Sequence, residues 1–492
     1  MYKEGFDSEK YLKIQSEEIL ERIKLFENKL YLEFGGKMFD DLHAARVLPG
    51  FEPDIKIKLL KTLADKVEIV MVISSKDIIE NRIQADHGIT YGEDMLRLIT
   101  KLKQRDLHVS SVVITLYDNQ KAVDTYKEKL ERLGHKVYYH RVIEGYPTDI
   151  KHILSEDGFG KNDYIETTRP LVVVAASGSS SGKMAVCLSQ LYQDAERGIS
   201  SGYAKFEKFP VWDLPKTHPI NLAYEAATID IKDKVVIDPY HLENYNEIAV
   251  NYNRDTEAFP VLKKIFEKIS GEKIPYLSPT KMGVNTIGKC IADSEICEKA
   301  AKQEIIRRYF KAKKHDETDS MQGLKLLMQA VGVVEEDREV VFCAREKSKK
   351  TGVDAVAMQL TNGEMITGKS SSLLSASSAA LINAIKFLSG FPDEKDLISQ
   401  AVIEGVQELN SIYLKSDAQL NLEPYEALTA ISVTAITDDS IKETIRQLSK
   451  LEKAELHSTK NLSPSTIKVL AKLGINATCE VFKEEKYEKY NQ

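Results

Sequence analysis

The chain is poor in cysteine and tryptophan, has no excess of basic residues and has no long apolar run. Each shortage excludes something. Only five of its 492 residues are cysteine: Cys187, Cys290, Cys297, Cys343 and Cys479. The count is odd and no two stand in C-x-x-C spacing. That argues against a disulfide framework and against a zinc ribbon, and predicts reduced, buried thiols and no metal centre. No H-E-x-x-H string occurs, so a zincin-type protease has no support. The longest apolar runs, such as Leu171 to Ala176, are far too short to span a bilayer. The opening residues, Met1 to Asp7, are polar and include acids, and no apolar stretch follows as a secretory signal requires. A cytoplasmic protein without a membrane partner is therefore expected. Lys and Arg number 68 against 75 Asp and Glu, a formal charge of −7. A chain of that sign is a poor general binder of nucleic acid, whose phosphates require a basic surplus.

What remains is an ordinary globular composition, 42 % hydrophobic and 29 % charged. The length suits about three domains. Residues 9–26 read as an amphipathic helix with Leu12, Ile19, Ile23 and Phe26 on one face. Strand-like runs follow at 30–34, 68–73, 111–116, 137–142, 171–176 and 234–237. Helical patterns separate them at 55–66, 93–104, 120–133 and 182–196. Continuous Val, Ile and Leu runs between helices predict a mostly parallel sheet of α/β type. Residues 254–310 read as mostly helical, broken at 271–282, and 311–319 read as a charged linker. From Met321 the pattern is α+β. Strands are expected at 339–344, 353–360, 453–458 and 475–482, and helices at 373–388, 394–409, 424–434 and 463–473. The expected divisions are 1–250, 251–320 and 321–492.

In an open parallel sheet, ligands bind beyond the carboxyl ends of the strands. The six runs are followed by Gly35-Gly36-Lys37, Ser74-Ser75-Lys76-Asp77, Tyr117-Asp118, Glu144-Gly145-Tyr146-Pro147, the loop from Ser177 to Lys183, and Asp238-Pro239-Tyr240-His241. If one edge gathers these loops, Lys37, Lys76 and Lys183 meet there, a setting for a small anionic ligand.

The loop Ser177-Gly178-Ser179-Ser180-Ser181-Gly182-Lys183 admits three readings. The first is a P-loop-like strand–loop–helix. Main-chain N–H groups of Gly178 to Gly182 would cradle phosphate and Lys183 would reach the terminal phosphates. The match is degenerate, since Ser177 replaces the first glycine and Met184 the residue that holds Mg²⁺. Asp238 would be a metal-side or general-base carboxylate, and a nucleotide with Mg²⁺ the cofactor class. The second is a nucleophile elbow, because Gly178 to Gly182 fits G-x-S-x-G with Ser180 as nucleophile. Its partners would be Asp238 with His241 or His315. The third is structural: small residues let a helix pack close to a strand. Downstream, Gly363 to Ser370 fits G-x-x-x-x-G-K-S in full. Yet Asn362-Gly363 is a hairpin turn signal, so this stretch reads as a strand pair. Whether Gly368-Lys369-Ser370 also holds an anion at a helix start is left open.

Other polar residues are weaker candidates. Asn251, Asn253, Arg254 and Asp255 open a helix, where Asp255 serves as a cap or a ligand. The loop Ser278 to Gly283 is turn-rich and its polar groups either make turns or face the pocket. Glu225 fits the surface of an amphipathic helix, and Trp212 fits the core.

Several longer strings carry a resemblance. They are Gly5-Phe6-Asp7, Leu32 to Lys37, Val47 to Pro53, Gly158 to Thr167, Asn221 to Thr228, Asn251 to Asp255, Ser278-Pro279-Thr280 and Met282 to Asn285. In these the chain resembles, over nearly its whole length, the bacterial uncharacterised protein family 0371, or domain of unknown function 1846. The resemblance implies a Rossmann-like domain, a helical insertion and a C-terminal α/β subdomain. It implies no established activity. Some relatives carry an automated label of ATP-dependent peptidase, which these residues do not support. The family's loop has glycine where Ser180 stands and proline at Ser177 and Ser179, which weakens the elbow reading. Gly182 and Lys183 match it.

The leading expectation is a protein that binds a phosphate-bearing small molecule or nucleotide at the sheet edge, with phosphoryl transfer or hydrolysis as the accompanying chemistry. Gly35, Gly36, Lys37, Asn253 and Arg254 join the loop as binding candidates. The alternative is a non-catalytic ligand-sensing or assembly protein, and the third a serine hydrolase using Ser180. Homo-oligomerisation is left open.

Overall fold

The computed structural model describes residues 4–26, 29–39, 41–84, 88–178, 180–271, 276–413 and 421–481. They divide into two compact units, Glu4–Ala301 and the residues from Lys302 onward. The division falls inside the helix Ser294–Lys314.

The main strands of the first unit are Leu30–Phe34 (β1), Val67–Ser74 (β2), Val109–Tyr117 (β3), Lys136–Arg141 (β4), Leu171–Ala176 (β5), Gly202–Phe206 (β6), Val235–Ile237 (β7), Val250–Tyr252 (β8) and Gly283–Val284 (β9). Seven form one sheet in the order β9-β6-β1-β5-β2-β3-β4, and every pair in it is parallel. Every residue of β2 and β5 is buried. That is why Leu171–Ala176 and the Ile69–Ile73 part of β2 are continuous apolar runs: helices cover both faces and no residue alternates to water. The helices that matter for the site are Ser8–Leu25 (α1), Ile55–Thr62 (α2), Lys183–Glu196 (α3), Pro239–Tyr245 (α4) and Asn253–Ser270 (α5). Val186, Cys187, Leu188 and Leu191 of α3 share one core with Val172 and Val174 of β5 and with Leu262, Ile265 and Phe266 of α5. Burying each aliphatic chain contributes roughly 1.5–3 kcal/mol.

The strand order contains a switch. From β2 the chain moves outward to β3 and β4, while from β5 it crosses β1 to reach β6. The carboxyl ends of β5 and β2, neighbours whose connections run in opposite directions, therefore flank a crevice. The loop from Ser177 to Lys183 leaves β5 at that point.

Two expectations are corrected in this unit. The run 234–237 is not a strand of the large sheet; β7 pairs antiparallel with β8. It has three residues with one fully buried, and Ile237 is 45 % exposed, so it lacks the two covered faces of a central strand. The large-sheet strands missed are the two-residue β9, within the stretch read as helical, and β6, all five residues buried, with Lys205 interrupting the apolar pattern. Gly202 is required there, because an added Cβ would sit 2.1 Å from the Phe26 ring.

The second unit contains the helices Glu339–Thr351 (α6) and Ala376–Ser389 (α7) and the strands Ala355–Gln359 (β10), Met365–Lys369 (β11), Glu455–Ser458 (β12) and Asn476–Cys479 (β13). The strands form a mixed sheet in the order β11-β10-β12-β13. The strand expected at 339–344 is helix α6: Val340, Val341 and Ala344 are buried while Phe342 is exposed, the spacing of a helix face. The expected linker is largely helical, since Lys311 to Lys314 finish one helix and Thr318 opens the next. The helix expected at 394–409 is confined to Gln400–Glu408, continued by a short turn of π-helix. The last strand spans Asn476–Cys479, and Phe482 lies outside the described residues.

The hairpin reading of the downstream G-x-x-x-x-G-K-S match agrees with the structure. β10 and β11 pair antiparallel, and Gly363 has φ +91° in the turn. Gly368 is a packing glycine: a Cβ would approach the Ala380 main-chain nitrogen to 2.2 Å. Helix α7 begins only at Ala376, so Gly368-Lys369-Ser370 does not open it.

Candidate functional site

The Ser177–Lys183 loop is pinned at its sides and open at its end. Ser177 Oγ lies 3.5 Å from the Tyr91 carbonyl, and Thr115 Oγ1 of β3 donates to the Ser181 carbonyl at 2.7 Å. Gly178 lies against the Tyr91 ring, which would be 2.8 Å from an added Cβ. Ser180 has φ +56° and Gly182 φ +86°. Both are left-handed, a conformation that costs an L-residue about 1–2 kcal/mol and glycine nothing. This explains physically why the family resemblance expects glycine at Ser180. Ser179 lies outside the described residues. Gly182→Ala should therefore destabilise the unit by about 1–2 kcal/mol, because its Cβ would also press to 3.1 Å against Thr115. Ser180→Gly should not destabilise it; chemical denaturation of the two variants checks the contrast.

Gly182 is also the N-cap of α3, and it supplies no side-chain hydrogen bond. The first turn of α3 carries no acidic residue. Its leading N–H groups thus present an uncapped positive dipole end. The Ser181 hydroxyl beside them is buried and has no hydrogen-bond partner among the described residues. An orphaned buried hydroxyl costs about 1–3 kcal/mol.

The residue that sequence reasoning missed is Lys56 of α2. It is 1 % exposed. Its ammonium donates to the carbonyls of Gly35 at 2.5 Å and Lys37 at 2.8 Å. It also lies over the rings of Phe34 and Phe206. No carboxylate among the described residues pairs with it. Burial, with a smaller push from the positive charge of Lys183, lowers its pKa from 10.5 to about 7. Lys56 and Lys183 thus form an uncompensated cation pair at the carboxyl edge. Gly35 and Gly36 shape this corner, with Gly36 at φ +66°. Lys37 enters through its carbonyl. Lys76 instead faces solvent and lies 3.9 Å from Glu80. The only signal for Lys56 was a lysine on the apolar side of a short helix.

Beside this pair lies a compensated cluster at the end of β6. Lys205 donates to both Asp255 oxygens and, at 2.7 Å, to the Tyr252 hydroxyl. It lies 3.1 Å from Glu207, whose carboxylate accepts from Tyr252. Burial alone would lower the Lys205 pKa, but Asp255, Glu207 and Glu33 outweigh it and raise it. Burial, together with the charge of Asp255, pushes Glu207 up to about 7 against the pull of Lys205. Asp255 is therefore an ion-pair partner rather than a helix cap. Glu33 accepts from Tyr203 at 2.7 Å. Burial raises the Cys187 thiol, Glu33 adds to this and Lys183 opposes it, so both charges reach the same thiol under the loop.

The remaining candidates are engaged elsewhere. Asp238 is fully buried. It caps α4 through the His241 N–H at 3.0 Å and accepts from Thr280 N and Oγ1 at 3.1 and 2.7 Å. His241 Nδ1 lies 3.0 Å from Ser278 Oγ, so the imidazole serves that buried loop and not Ser180. Asn253 accepts from Lys234 N, and Arg254 forms a 2.6 Å ion pair with Asp233. Glu225, read as a surface residue, accepts the Val235 N–H at 2.7 Å. Trp212 packs edge-on against Gly283, as its ring would lie 2.6 Å from an added Cβ. No group of three or more His, Cys, Asp or Glu able to hold a metal occurs among the described residues. With Met184 at the Mg²⁺ position, these residues do not fit a protein-held Mg²⁺. No helix among them is long and apolar enough to cross a membrane.

These features define an α/β protein with a Rossmann-like parallel sheet and two lysines at its carboxyl edge, Lys56 and Lys183, that form no ion pair among the described residues. The chain belongs to the family of unknown function described as DUF1846: its N-terminal domain matches residues 4–335 and its C-terminal domain residues 336–489. It is 50 % identical over 99 % of both chains to a UPF0371 protein of Streptococcus uberis. It is 50 % identical to one of Streptococcus thermophilus over 98 % of each chain, and 48 % identical to one of Clostridium botulinum over 97 % of each.

Proposed function

We propose that the protein binds a phosphate-bearing small molecule at the carboxyl edge of β1 and β5. The observation that carries this reading is Lys56, a buried ammonium with only carbonyls for hydrogen-bond partners, facing the charge of Lys183. A buried charge without a counter-charge is costly. A dianion bridging the two lysines removes that cost, and the uncapped start of α3 supplies donors for its remaining oxygens. Gly182 and Gly178 shape the loop, and Ser181 offers a further donor.

Binding without turnover is favoured by the position of Asp238. The carboxylate that the sequence offers for chemistry already accepts three hydrogen bonds inside the fold. The test is a calorimetric titration with a panel of nucleotides and phosphate esters. Wild type should bind at least one saturably, and Lys183→Ala should weaken that binding at least tenfold. Absence of binding across the panel, or equal affinity in the variant, would overturn the reading. Turnover of a bound ester that is lost in Asp238→Asn would move the protein into the enzyme class.

A further inference from the structure

The opposite edge of the same sheet carries a second cationic feature. A cleft of about 580 Å³ opens at the amino ends of β1, β2 and β5. That volume is in the usual range for a small-molecule site. Its charged lining residues are Lys24 of α1, Lys29 before β1, Lys66 before β2 and Arg169 before β5. No acidic residue lines it among the described residues. In a chain of net charge −7, four cations in one concavity are a local reversal of sign. Clefts concentrate such a field.

The walls are fixed from behind. Arg169 Nη1 donates to the carbonyls of Ala64 and Val67. Its main-chain N–H, with that of Thr168, is held at 2.6 Å by the buried carboxylate of Glu68. Asp194, fully buried, gathers Lys29 at 2.9 Å, the Tyr31 hydroxyl at 2.9 Å and the Tyr164 hydroxyl at 2.8 Å. That carboxylate neutralises Lys29 and orients Tyr164, which lies in the cleft wall. Lys24, Lys66 and Arg169 form no ion pair among the described residues. The cleft is therefore a built surface with three uncompensated cations, one of them a guanidinium already set in place.

We infer that this cleft is a second ligand site, which takes a small polyanion of the condensed-phosphate or organic-polyphosphate class. Guanidinium and ammonium groups match clustered phosphoryl oxygens. The concavity and limited volume favour a small molecule over an extended polymer. At about 3.3 Å per residue, β1 and β5 separate this cleft from the carboxyl-edge loop by roughly 17–20 Å. The inference does not rest on the reading of that loop.

The test uses the full chain carrying Lys183→Ala, so that the carboxyl edge does not contribute, and inorganic tripolyphosphate as the probe. Calorimetry should show saturable binding that survives in Lys183→Ala. Adding Lys24→Glu and Lys66→Glu, both exposed positions, should weaken it at least tenfold while the far-ultraviolet circular dichroism stays unchanged. Absence of saturable binding in Lys183→Ala would overturn the assignment. So would affinity that falls with added salt but is indifferent to the two charge reversals, which would mark diffuse attraction over the whole surface.

Discussion

Replacing Arg338 with methionine destabilises the second unit by about 3–5 kcal/mol, the cost of breaking a buried ion pair from one side. Arg338 is 1 % exposed. Its guanidinium donates to Glu455, to Thr478 Oγ1 at 3.3 Å, and to the carbonyls of Leu456 and Asn476 at 3.3 and 3.0 Å. One side chain thus ties α6 to β12 and β13. Its loss removes a donor from the Asn476 carbonyl, leaves the Leu456 carbonyl with Thr478 Oγ1 at 3.1 Å, and leaves Glu455 with Arg307 at 3.5 Å and Asn476 Nδ2 at 2.9 Å. Thermal unfolding should show the loss, and pairing Arg338→Met with Glu455→Leu should recover part of it. The same network sets an acid limit. Burial would raise Glu480, but His457, Arg345 and Lys313 outweigh it and hold the carboxyl at about 2, below its usual 4.5. A carboxyl lowered in the folded state contributes stability above its unfolded pKa and loses it as pH falls through the folded one. The second unit should therefore weaken between about pH 4.5 and pH 2.

Lys56 predicts a dependence of the same sign in the first unit, over a higher pH window. Its folded pKa is about 7 against 10.5 unfolded, so the unfolded chain binds more protons between those values. Without ligand, stability should rise with pH across that window, by an amount on the order of a few kcal/mol. A bound dianion should flatten this dependence, since it favours the ammonium. Binding at pH 8 should then take up close to one proton, read from the binding heat in buffers of different ionisation enthalpy. Lys56→Met should abolish the proton uptake and lower the slope, leaving the share from Lys208, which burial also lowers to about 7. Binding without proton uptake in wild type would remove Lys56 from the site.

The sequence showed the sheet where burial was symmetrical and hid it where burial was polar. β5 is apolar throughout and β2 is apolar from Ile69 to Ile73, and both were legible. β6 was not, because Lys205 sits near its end and is neutralised by Asp255, fifty residues later. The run opening α6 has enough Val and Phe to read as a strand, and only its packing on the second sheet selects the helix. In the proposed site, Gly182 and Lys183 stand out in sequence because a loop between strand and helix has a local signature. Lys56 was not: in sequence it looks like any helix lysine, and its burial exists only once β1 and the Gly35–Lys37 turn close over it. Asp238 was legible as a carboxylate at a strand end, but two of its three hydrogen bonds come from Thr280, far along the chain.

The most direct test of the central claim is a crystal of the full chain soaked in tungstate, a phosphate mimic with a strong anomalous signal. The account predicts an anomalous peak within hydrogen-bond reach of the first N–H groups of α3, beside the side chains of Lys183 and Lys56. A saturating soak that leaves only ordered water at Gly182, with Lys56 still bonded to the Gly35 and Lys37 carbonyls alone, would contradict it.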